Sequence, residues 1–308
     1  MGLEANIDFM KANPVLLRRM FSSRVLKDLG NNKVPAELLN VLSSLGNAGQ
    51  LKEGVTLSSL YNSAFKHCFR HQRVEYFYKN ALVEKLVIGR RSLKTTAAYV
   101  EVRIAEAKLD VLLAGKYLSA YEIKTDFDEL ARLPAQIKAY QRACREVTVL
   151  TGERFASAVE ASIPPEVGLS VLTNRYQLRV LRSATPWDRG LVNSDMLSLL
   201  RRHELLRLLK DVGKDASGIP NTRIYQCAVQ AATDLSPVAI NAFVASRLLE
   251  RSAAKRGLVE GLPMSLAASA LAQDLTRTQM ERLIEIFETD VSGGARGDLL
   301  SLFQGEAV

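Results

Sequence analysis

The residues best suited to chemistry lie between Glu101 and Tyr140. Asp110 interrupts the apolar run Leu109-Asp110-Val111-Leu112-Leu113, and Glu122 and Lys124 interrupt the run Ala120-Tyr121-Glu122-Ile123-Lys124-Thr125. Two carboxylates and an ammonium in half-buried strands are costly unless something compensates them. Oxygen ligands from neighbouring strands are what a hard divalent cation such as Mg²⁺ or Mn²⁺ requires. Asp110 and Glu122 would then hold the metal, which activates water and offsets charge on a phosphodiester, while Lys124 orients that water or stabilises the developing charge. The same spacing also suits a cross-strand ion pair at a sheet rim, worth a fraction of a kcal/mol.

Positioning these groups needs a hairpin. Both runs are short and rich in apolar, β-branched or aromatic residues, and the link between them carries Gly115 for the turn. Strand alternation sends Glu122 and Lys124 to one face and Tyr121, Ile123 and Thr125 to the other. A preceding strand over residues 97–104 carries Glu101 and Arg103, and Glu101 either extends the acidic cluster or pairs with Arg103 or Lys108. A helix over residues 130–143 follows the hairpin and places Gln136 and Tyr140 one turn apart on one face. A strand over residues 146–151 and a hairpin over residues 167–181 complete a core of about five strands.

An Asp in one apolar strand followed across a hairpin by Glu-x-Lys resembles the active-site signature of the PD-(D/E)XK nuclease superfamily. Leu109 stands where that signature has Pro, a position that contributes no ligand. Gln136-Ile137-Lys138-Ala139-Tyr140 resembles the Q-x-x-x-Y helix motif of the RecB-like branch. With Glu75-Tyr76-Phe77-Tyr78-Lys79-Asn80, the second strand also looks like a bacterial family of uncharacterised PD-(D/E)XK-like proteins. The resemblance covers roughly residues 73–182. It implies a restriction-endonuclease-like α/β fold, a mixed sheet flanked by helices, with Mg²⁺- or Mn²⁺-dependent hydrolysis of DNA at Asp110, Glu122 and Lys124, supported by Gln136 and Tyr140. It further implies an acidic group from a helix before the first strand, with Glu75 ahead of Glu84, and it invites a phage, defence or mobile-element setting. The alternative is a nuclease-like fold without the chemistry, acting as a nucleic-acid-binding or protein-interaction module.

A net charge of +8 and 41 Lys and Arg residues favour a polyanionic partner, DNA first. Arg90, Arg91, Lys94, Arg103 and Lys108 are the candidate phosphate contacts, or else a solvated basic edge. No run reaches the ~20 apolar residues of a membrane span. Three scattered cysteines read as free thiols of a cytoplasmic protein. His67, Cys68 and His71 lack the second ligand pair of a zinc site and read as part of an ordinary helix.

Three segments are therefore expected: a helical region 1–72, with helical pattern from Ile7, that caps the sheet or else forms a DNA-reading helical module; a nuclease-like core 73–186; and a helical region 187–308 with a continuous helix over residues 196–210 and a Gly-rich tail. The helical flanks suit a protein partner or a second copy of the chain.

Overall fold

The computed structural model describes residues 14–292. The start of the expected helical pattern at Ile7, and the Gly-rich tail from residue 293 onward, lie outside the described residues. The protein is α/β, a six-stranded mixed sheet flanked by helices, with helical N- and C-terminal regions. No helix among the described residues is long and apolar enough to cross a membrane.

Strand order follows chain order, β1 (Ala97–Ile104), β2 (Ala107–Ala114), β3 (Leu118–Lys124), β4 (Glu146–Gly152), β5 (Gly168–Leu172) and β6 (Leu178–Arg182). β1, β2 and β3 form an antiparallel meander, β3, β4 and β5 run parallel, and β6 closes antiparallel on β5. Parallel neighbours need a crossover. The Leu133–Tyr140 and Ala156–Ser162 helices supply the two crossovers. β5 is buried at every position, Ser170 included, as expected of a strand inside the sheet and covered on both faces. β6 is an edge strand, with Val180 and Leu181 both exposed.

The chain divides into two compact units, Met1–Asn80 with Lys255–Val308, and Ala81–Ala254. This division runs elsewhere than the three-way split read from composition. The Pro237–Ser252 helix buries Ile240, Val244 and Leu248 in one core with Leu112, Leu118 and Val149 of the sheet, so helices after residue 187 belong to the sheet's unit. In the first unit an aromatic cluster organises the helices: Phe21 meets Tyr61 edge-on at 5.5 Å and Phe65 meets Phe77 at 4.8 Å between ring centres. Buried Asn80 ties its two ends, donating to the Met264 carbonyl at 2.8 Å and accepting the Ala268 N–H at 3.0 Å.

Helical segments are shorter than the apolar periodicity of the sequence around them. The 57–88 stretch forms Leu57–His71, Glu75–Ala81 and a π-helical segment Leu82–Ile88. The helix expected over residues 196–210 is broken into Asn193–Leu197 and Arg202–Asp211. Glu204 causes the break, because its carboxylate accepts the Arg201 N–H at 2.6 Å and starts a new helix there. Arg251 pairs with the same carboxylate and donates to the Leu199 carbonyl at 3.1 Å, satisfying the end of the preceding turn.

Candidate active site

The β2–β3 ladder ends at Val111↔Tyr121, and the next step of that register sets Asp110 across from Glu122. There a side chain replaces the ladder: Asp110 Oδ2 accepts the Ile123 N–H at 2.7 Å. Alternation along β3 brings Glu122 and Lys124 to one face, and Lys124 Nζ lies 2.9 Å from Glu122 Oε1. Both are buried, Glu122 at 2% exposure and Lys124 at 8%.

The crossover helix covers this cluster. Its boundaries are Leu133–Tyr140, shorter than the expected 130–143, and a separate turn precedes it: Asp128 Oδ2 accepts the Thr125 N–H at 2.8 Å and the Thr125 hydroxyl at 2.6 Å. Gln136 Oε1 accepts from Lys124 Nζ at 2.9 Å. The Tyr140 hydroxyl lies 2.7 Å from Glu122 Oε2 and 3.0 Å from the Lys108 carbonyl oxygen. Its single proton is directed best at the carboxylate, and Gln136 Nε2 donates to the phenol oxygen at 3.5 Å. Burial first, then the charge of Glu122, its hydrogen bond and the charge of Asp110, push the Tyr140 pKa up. Burial and the nearby carboxylates thus favour the protonated phenol, which donates to Glu122.

Asp110, Glu122, Lys124, Gln136 and Tyr140 thus meet at one place on the sheet. The other candidates separate from it. Glu101 pairs with Lys108 at 2.5 Å, one of the partners expected for it. It takes a left-handed backbone (φ 58°), unusual for a non-glycine strand residue. Arg103 stands opposite Lys108 in the β1–β2 register, so both fall on the Asp110 face. Arg90 and Arg91 act instead on Tyr121, whose hydroxyl is raised by burial and pulled back by these cations. Tyr121 alternates with Glu122 and so lies on the opposite face of the sheet. Arg90 also donates to the Leu178 carbonyl at 3.2 Å, and Lys94 is exposed in a turn closed by its N–H to Ser92 Oγ. Glu84 pairs with Lys85 at 2.6 Å, while Glu75 belongs to the first unit and pairs with Lys79 at 2.5 Å.

Sequence reasoning missed Asn241. Fully buried, it accepts the Leu118 N–H at 3.0 Å and donates to the Ala143 carbonyl at 2.7 Å, pinning the start of β3 and the chain just after the site helix. Its one signal is an amide on an otherwise apolar helical face, between Ile240 and Val244. Thr151 was missed too: its hydroxyl donates to the Lys124 carbonyl at 2.6 Å.

The donor set suits a hard cation in kind, since Mg²⁺ is commonly held by one or two carboxylates with water and phosphate oxygens completing its shell. Among the described residues no group of three or more His, Cys, Asp or Glu side chains could hold a metal.

Protein cII of Enterobacteria phage P4 is 28% identical over 147 residues, 47% of this chain and 54% of that protein, so the chain spans about half the length of this curated relative. A solved protein of unknown function from Silicibacter pomeroyi is 18% identical, with 48% of this chain and 94% of that one covered at a TM-score of 0.31. The family model described as bacteriophage P4 protein cII matches residues 69–277, more than half of the sequence, and the chain belongs to that family.

Proposed function

We propose that the protein is a metal-dependent nuclease that hydrolyses DNA phosphodiester bonds. The observation that carries this reading is the convergence of Asp110, Glu122 and Lys124 on one face of the sheet, with Gln136 and Tyr140 over them. Asp110 and Glu122 would hold Mg²⁺ or Mn²⁺, which when bound supplies positive charge to activate water and to offset charge on the phosphate. Lys124, fixed by Gln136, orients the water or stabilises the charge that develops on the phosphate. Tyr140 holds the Glu122 carboxylate, and the Ile123 N–H holds that of Asp110. Arg103 and Lys108, on the same face in a chain of net charge +8, can meet phosphates.

The test is nicking of supercoiled DNA by the purified protein with Mg²⁺ or Mn²⁺. Cleavage that disappears in Asp110→Ala and Lys124→Ala, with the fold verified by circular dichroism, supports the reading. Equal cleavage by both variants removes it.

A second reading draws on a specific feature, that both Glu122 oxygens are already engaged, one by Lys124 and one by Tyr140. The site would then be a compensated charge network in a DNA-binding or protein-interaction module. Such a module keeps its DNA affinity in EDTA and takes up no divalent cation.

A further inference from the structure

Phe127 is 86% exposed, the most exposed large hydrophobic side chain among the described residues. It is displayed by a built turn, since the Thr125–Asp128 hydrogen bonds brace the loop and the Phe127 N–H reaches Thr125 Oγ1 at 3.4 Å. Its neighbours Asp126, Asp128 and Glu129 are exposed, so the ring stands in an acidic collar on a chain whose net charge is +8. Displaying a rigid aromatic ring costs little further order on binding, and such rings are frequent anchors of protein interfaces. The collar repels phosphates and selects a basic protein surface.

The same unit carries a surface of that description. The Arg202–Asp211 helix and the following loop enclose an open cleft of about 650 Å³ with Leu206 at its wall and Arg202, Lys210 and Lys214 around it. Asp215, the carboxylate in its lining, is bound by the Ser217 N–H at 2.8 Å and the Ser217 hydroxyl at 2.5 Å. The volume lies within the roughly 300–1,000 Å³ of pockets that take a small organic group.

We infer that the chain associates head to tail with a second copy of itself, Phe127 and its acidic collar entering the basic cleft at Arg202, Lys210 and Lys214 of the next molecule. Knob and hole are different surfaces, so the contact is heterologous and leaves one of each free after every addition. The inference does not rest on the nuclease reading.

Sedimentation velocity of the full chain across a concentration series tests it. The sedimentation coefficient rises with concentration at low salt and falls back in high salt, because charge pairs at a rim are screened. Phe127→Ala and the pair Lys210→Glu with Lys214→Glu each abolish the rise. The decisive sample is a mixture of these two variants: one retains the cleft and the other the knob, so together they form a 1:1 dimer that grows no further. A wild-type chain that stays monomeric, a Phe127→Ala chain that associates as wild type does, or a mixture that remains two monomers overturns the proposal.

Discussion

Tyr140 directs its hydroxyl at Glu122 from 2.7 Å, joining the crossover helix to a carboxylate buried at the centre of the sheet face. The pair explains why a charged glutamate tolerates 2% exposure, since the proton of Tyr140 and the ammonium of Lys124 each compensate one oxygen. Tyr140→Phe keeps the ring's packing and removes one donor to a buried charge. We expect a loss of about 1–3 kcal/mol in urea denaturation. An unchanged midpoint would show that Lys124 alone suffices.

Lys124→Ala removes the only cation paired with Glu122 among the described residues and leaves a buried carboxylate exposed to its own desolvation. A cost of about 3–5 kcal/mol follows. Adding Glu122→Gln to Lys124→Ala should return part of that stability, because the remaining side chain is neutral. A double variant less stable than Lys124→Ala would contradict this account.

Asn241→Leu strips the Leu118 N–H and the Ala143 carbonyl of their partner in the buried core. Each unpaired group costs about 1–3 kcal/mol. Hydrogen exchange at the Leu118 amide should accelerate along with the fall in stability. Protection unchanged from wild type would mean that another group takes over.

Alkaline pH acts through the tyrosines. Burial raises Tyr61, Tyr76 and Tyr140 above their ordinary value near 10, and burial with the Glu146 hydrogen bond raises Tyr117 to about 12. The unfolded chain releases these protons near pH 10 while the folded chain keeps them. Their contribution is therefore whole below pH 10 and is lost as pH climbs toward the folded values. Thermal midpoints should fall steeply above pH 10. A midpoint flat from pH 9 to 11 would exclude the effect.

The strands were legible because each obeys a local rule. β1 spans the residues expected from alternation, and β4 and β5 fall where short segments rich in Val, Leu and Thr were expected as strands. The helices were less legible at their ends. Apolar periodicity runs through residues 196–210 without a gap, and the break there depends on Glu204 meeting Arg251, 47 residues away. The crossover helix begins at Leu133, after a turn in which the Asp128 carboxylate accepts from Thr125, a contact that apolar periodicity does not show.

What the amino-acid sequence determined by itself was the inventory and its local phase: which strands exist, which side chains share a face of β3, and that Gln136 and Tyr140 lie one turn apart. These follow from periods of 2 and 3.6 residues, which need no distant partner. Only the tertiary structure decided which of the charged candidates meet. Glu75 and Glu84 took local partners, Lys79 one turn on and Lys85 next in the chain, whereas Glu101 met Lys108 across the hairpin and Glu122 met Tyr140 of the crossover helix. Pairing is set by register and by the helix laid over the sheet, and both are fixed by contacts as remote as Asn241 to Leu118, 123 positions apart.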